Sequence, residues 1–155
     1  MRITKYTTEL NEERCLVLVK EKTMLYPAEK QLNSPEKIVK MLNEVFNLGN
    51  QSEEYLYMIA FNAKMLPIGV FEISHGTIEQ SICSPKDIFK KAFLCNAMCF
   101  ILAHNHPSGD LTPSKADIES YQQLQKIGKM MGIIAQDSII VNSYDQYTSL
   151  REKGY

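Results

Sequence analysis

An α/β sandwich around a central mixed sheet is the fold this 155-residue chain predicts. Three observations carry that prediction. Strand-like and helix-like segments alternate, with no internal repeat or low-complexity tract. Two Ser-Pro pairs, at 34–35 and 84–85, each open an amphipathic helical pattern. An apolar run, Met98-Cys99-Phe100-Ile101-Leu102-Ala103, reads as a fully buried strand. The length suits one domain with a proper core. A 45% hydrophobic and 23% charged composition is ordinary for a globular protein.

Taken in order, Cys15 to Lys20 reads as a short buried strand, with Thr23 to Tyr26 pairing back on it. Residues 1–32 thus form an N-terminal extension of short strands, and 33–155 the main domain. From Ser34-Pro35 a helix places Ile38, Met41, Leu42, Val45 and Phe46 on one face and stops at Leu48-Gly49-Asn50. Tyr55 to Phe61 and Leu66 to Ile73 are strands joined as a hairpin by Asn62-Ala63-Lys64. His75-Gly76-Thr77 reads as a turn, with His75 at the surface. The helix from Ser84-Pro85 carries Asp87 in its first turn, Ile88, Phe89, Ala92 and Phe93 inside, and Lys90 and Lys91 outside. After the apolar strand, a helix from about Ser114 to Met131 ends at Gly132. Ile133 to Val141 and about Tyr147 to Leu150 are the last strands.

With 17 basic and 18 acidic residues the net charge is −1, which argues against electrostatically driven binding to DNA or membranes. No apolar run approaches a membrane span, and Met1-Arg2-Ile3-Thr4-Lys5 lacks a signal-peptide core, so a cytoplasmic protein is expected. Cysteines at 15, 83, 95 and 99 include no Cys-x-x-Cys pair; they read as small apolar core residues, without a disulfide.

The chemistry lies where the apolar strand ends, at Ala103-His104-Asn105-His106-Pro107-Ser108-Gly109. A strand's period of two points His104 and His106 the same way. Pro107 and Gly109 turn the chain, and Asp117 arrives at the start of the next helix. Two neutral imidazoles and one carboxylate make a three-ligand zinc set that leaves a fourth position for water, the pattern of a metal-dependent hydrolase. Ser114-x-x-Asp117 also reads as a capping box, which would fix where that carboxylate points.

His104-x-His106-x7-Ser114-x-x-Asp117 resembles the JAMM (MPN+) metalloprotease motif, and His-Asn-His-Pro-Ser-Gly-Asp with Pro113-Ser114 resembles the RadC branch of that superfamily. The likeness runs from about residue 33 to the C-terminus and takes in Gly76-Thr77 and the helix at Ser84-Pro85. It implies a cytidine-deaminase-like α-β-α sandwich with a central mixed sheet, and Zn²⁺ held by His104, His106 and Asp117. It implies that Ser114 helps hold the catalytic water or stabilises the oxyanion. It also calls for a general-base glutamate at the start of a strand after the first helix. Glu54 fits that place; Glu72, inside an apolar strand, is the rival, and Glu53 comes third. The expected activity is hydrolysis of a peptide or isopeptide bond in a peptide or protein substrate. The alternative is an accessory protein of DNA repair or mobile elements with a structural or vestigial metal. RadC-like proteins carry an N-terminal helix-hairpin-helix region. The first 33 residues here read instead as strands, so nucleic acid is not the expected partner. Neither the substrate nor the oligomeric state is legible.

Overall fold

The computed structural model describes residues 1–27, 32–76 and 84–155. Thr77 and Cys83 lie outside the described residues. The chain opens with a long antiparallel hairpin, β1 (Arg2–Leu10) and β2 (Leu16–Leu25). Asn11 closes its turn, accepting at Oδ1 from the Cys15 amide at 2.8 Å while its own amide donates to the Cys15 carbonyl. This corrects the reading of 15–20 paired with 23–26. Leu16 to Lys20 and Thr23 to Leu25 belong to one strand, β2, and their partner is β1, where Thr4 faces Thr23 and Thr8 faces Leu18. Cys15 sits exposed in the turn rather than in a core.

Helix α1 (Pro35–Phe46) begins where Ser34 Oγ accepts from the Lys37 amide. It ends because Asn47 adopts the left-handed conformation, φ 54°, that asparagine tolerates. Leu48–Asn50 then forms a single 3₁₀ turn. Strands β3 (Glu54–Phe61) and β4 (Pro67–Gly76) form the expected hairpin. His75 and Gly76 continue β4 rather than turning, because they pair with Tyr55 and Glu54; His75 is exposed, as expected. Helix α2 (Pro85–Leu94) follows, then β5 (Cys99–Asn105), α3 (Lys115–Met131), β6 (Ile134–Val141) and β7 (Tyr147–Ser149). Gly132, at φ 72°, ends α3.

The seven strands form one mixed sheet in the order β2-β1-β4-β3-β5-β6-β7. β1 runs parallel to β4 and β5 to β6, while the other pairs are antiparallel. Two cores result. On one face Ile38, Met41 and Leu42 of α1 pack with Tyr57, Ile59, Ile101 and Ala103. On the other, Ile88, Phe89 and Ala92 of α2 and Leu124 of α3 pack with Leu56, Met58, Phe100 and Leu102. Phe93, expected inside, is 54% exposed, because the last turn of α2 overhangs this core. All seven residues of β5 are buried. Among the described residues no helix is long and apolar enough to cross a membrane.

Candidate metal centre

Strand β5 carries its apolar alternation straight into the site. Phe100 and Leu102 belong to the α2/α3 core, so the period of two puts His104 on that same face. His106 follows one residue beyond the strand. The chain then turns: the Gly109 amide donates to the His106 carbonyl at 2.8 Å, with Gly109 at φ +76°, where a side chain would be strained. Across this loop α3 begins with the capping box the sequence predicts. Ser114 Oγ accepts from the Asp117 amide at 3.1 Å, and Asp117 Oδ2 accepts from the Ser114 amide and hydroxyl, each at 2.7 Å. The cap therefore fixes the carboxylate's direction. It also commits the Ser114 hydroxyl proton to Asp117.

His104, His106 and Asp117 form a cluster able to hold a metal ion, their ligand atoms all within 4.8 Å of one another. His104 Nε2 lies 3.1 Å from His106 Nε2 and 3.3 Å from Asp117 Oδ1, and His106 Nε2 lies 3.7 Å from Asp117 Oδ2. Ligand atoms placed tetrahedrally at ordinary zinc bond lengths stand about 3.3–3.6 Å apart. The His104–His106 and His104–Asp117 Oδ1 spacings are close to that, while the His106 spacing is to the other carboxylate oxygen; the cluster is compact enough to close on one ion. The Asp110 carbonyl, 2.7 Å from His106 Nδ1, can only accept, so Nδ1 carries a proton and Nε2 is the nitrogen turned towards His104 and Asp117.

Their surroundings shift the three groups in different directions. Burial pushes the His104 imidazole down to about 4, against the pull of Asp117, so the ring is neutral at physiological pH. His106 is raised, first by its hydrogen bond to Asp117, with burial opposing. For Asp117 burial works upward, yet His106, His104 and the Ser114 hydroxyl and amide outweigh it and hold the carboxyl far below its usual range.

Glu54 opens β3, directly beside β5. Leu56 lies opposite His104, and alternation puts Glu54 on that same face. Burial raises its carboxyl; nearby His106 lowers it and Asp117 raises it further, so Glu54 feels both ligands. Glu72 is placed otherwise. It pairs with Tyr57, which belongs to the α1 core, and its carboxylate is taken by Lys5 Nζ at 2.9 Å and His75 Nδ1 at 2.8 Å. Glu53 is exposed and contributes only its carbonyl, to Asn105.

Asn105 is the residue that sequence reasoning missed. It is fully buried between the two histidines in sequence, with its side chain on the opposite side of the strand. Oδ1 accepts from the Tyr55 amide at 2.8 Å; Nδ2 donates to the carbonyls of Glu53 at 3.0 Å and Gln51 at 3.2 Å. It thus ties the residues on both sides of Glu54 to the strand that bears the histidines. The available signal was an amide in a buried strand, which demands partners.

Residues 32–155 match the RadC-like JAB domain family. The chain belongs to that family. Among relatives, it is 42% identical over 125 residues to a UPF0758 protein of Finegoldia magna, covering 80% of this chain and 54% of the relative. It is 37% identical over 124 residues to a UPF0758 protein of Caldanaerobacter subterraneus subsp. tengcongensis, covering 80% and 52%. The chain spans about half the length of these curated relatives. Neither relative's name states an activity. What places this RadC-like JAB domain among candidate metalloproteins is its own His104, His106 and Asp117.

Proposed function

We propose that this domain is a zinc-dependent hydrolase of the JAMM type that cleaves a peptide or isopeptide bond in a peptide or protein substrate. The observation that carries this reading is the convergence of His104 and His106, at the end of β5, with Asp117, in the first turn of α3, and Glu54 alongside on β3. Two imidazoles and one carboxylate match the ligand sets of catalytic zinc, which keep one position open. Bound there, zinc would supply a Lewis acid and bring the pKa of a coordinated water to about 7.

The chain's own residues would do the rest. His106 would be steadied by the Asp110 carbonyl, and Asp117 by the Ser114 amide and hydroxyl. Glu54 would take a proton at its carboxylate and return it to the leaving nitrogen, a role suited by burial that raises its carboxyl. Ser114, expected to hold the catalytic water or the oxyanion, directs its hydroxyl proton at Asp117 and would act through that carboxylate.

The test begins with metal content. The purified protein should carry about one zinc per chain, and the His104→Ala/His106→Ala double variant should carry almost none. Stoichiometric zinc in the double variant overturns the site. Glu54→Gln should then keep zinc while losing cleavage of a peptide library that the native chain cuts. Retained cleavage by Glu54→Gln removes Glu54 from the mechanism and leaves the metal site standing.

A further inference from the structure

The metal centre lies where β5 ends; the opposite end of the sheet, where β5 begins, has a different surface. Three connections meet there: the β3–β4 turn, the α2–β5 turn and the α3–β6 turn. The backbone joins them, with the Met98 amide donating to the Phe61 carbonyl at 2.8 Å and the Ile134 amide to the Met98 carbonyl at 3.1 Å. Met65 Sδ lies 3.5 Å from Cys99 Sγ, and the Ile133 amide reaches back to Gly128 of α3.

This end exposes large apolar side chains from every connection. Met130 is 86% exposed, Phe93 54% and Met98 50%, with Met65, Met131 and Ile134 also exposed. Four of the chain's eight methionines stand here. Exposed apolar side chains gathered at one end of a sheet are the material of an interaction site, and methionine is suited to one because its flexible thioether moulds to a partner.

The charge at this end is one-sided. In residues 62–67, 90–98 and 126–136, lysine occurs at 64, 90, 91, 126 and 129, and no aspartate or glutamate occurs. Lys64, Lys126 and Lys129 are exposed, while Lys90 is paired with Asp87, one turn earlier in α2. A chain whose overall charge is only −1 thus gathers lysines around an apolar centre.

We propose that this end of the sheet is a docking surface for an acidic amphipathic segment of another protein, apolar anchors meeting Phe93 and the methionines while carboxylates meet the lysine rim. An amphipathic helix laid on an apolar surface is a recurrent mode of peptide recognition, and complementary charge at the rim sets partner choice. A second copy of this chain fits less well, because a two-fold contact sets lysine rim against lysine rim. The proposal stands apart from the metal chemistry and uses none of its residues.

The experiment uses the whole chain with ¹³C-labelled methionine methyl groups. It is titrated with a synthetic amphipathic peptide bearing leucine and phenylalanine on one face and glutamate on the other. The same peptide with lysine for glutamate, and vesicles of phosphatidylserine, are run beside it. Met65, Met98, Met130 and Met131 should shift while Met1, Met24, Met41 and Met58 stay. The acidic peptide should bind at least tenfold more tightly than the lysine version, with a preference that shrinks as salt is added. Lys126→Glu/Lys129→Glu, changed at two exposed positions, should reverse that preference. Four results would overturn the proposal: no binding of the acidic peptide, equal binding of both peptides, vesicle binding without peptide binding, or the same four methyl shifts appearing on protein concentration alone.

Discussion

Glu54 and Glu72 stand on adjacent strands of one sheet, and their surroundings move them in opposite directions. Glu54 faces the α2/α3 side with the histidines; burial raises its carboxyl. Glu72 pairs with Tyr57 on the α1 side. There burial also works upward, but hydrogen bonds from Lys5 and His75 outweigh it and lower the carboxyl. The two share a residue type and a sheet, and what separates their surroundings is the face of the pleat each occupies. A carboxylate kept raised, with no lysine beside it among the described residues, suits the proton transfer proposed for Glu54; one clamped by an ammonium and an imidazole holds two strands together.

The largest expected effect that tests this contrast is on turnover. Glu54→Gln should lower hydrolysis by about 10²- to 10⁴-fold with zinc retained, and Glu72→Gln should leave turnover within a few-fold of native. A reversed pattern in single-turnover assays would exchange the two roles. Next comes Asn105→Ala, which leaves the Tyr55 amide and the Glu53 and Gln51 carbonyls without their buried partner. It should cost about 1–3 kcal/mol in denaturant unfolding and speed hydrogen exchange at the Tyr55 amide, with zinc still bound. Unchanged exchange at Tyr55 would show that Asn105 does not hold that strand start.

Smaller still is the stability effect of the glutamates themselves. Glu72→Gln should destabilise by about 1 kcal/mol or less at neutral pH. Because the folded Glu72 carboxyl is lowered, its contribution is complete above the unfolded carboxylate value and is lost as pH falls through the folded one. The gap between native and Glu72→Gln melting temperatures should therefore close on acidification. For Glu54 the sign is opposite. Its raised carboxyl makes the ionised form the costly one, so metal-free Glu54→Gln should melt no lower than native protein once pH exceeds that raised value. Thermal melts of both variants across a pH series check the two signs together.

The helices and the ligand strand were legible in the sequence because their signals are local. Ser34-Pro35 and Gly132 mark helix ends through backbone chemistry, and a run of buried residues ending in His-x-His shows its own period. β1 was not, since Arg2 to Leu10 is mostly polar and becomes a strand only through pairing with β2 and β4. Phe93 misled because it follows Phe89 by one helical turn, and periodicity does not reveal where the core beneath a helix stops. The sequence put Glu54 ahead of Glu72 by its place after the first helix; which of them shares the histidines' face is read from the register of β3 against both neighbours, which spacing along the chain does not contain.

β5 lies between β3 and β6, with every one of its residues out of water. A strand so enclosed opens only in global unfolding, and it owes its place to apolar contacts on both faces. The histidines are thus delivered by a scaffold that does not wait for the ion, unlike small zinc modules whose folding is the binding event. Stripping the metal with a chelator should silence the chemistry while leaving circular dichroism and cooperative melting in place. On the proposed zinc assignment, a spectroscopically visible cobalt should then enter the emptied site without refolding the chain.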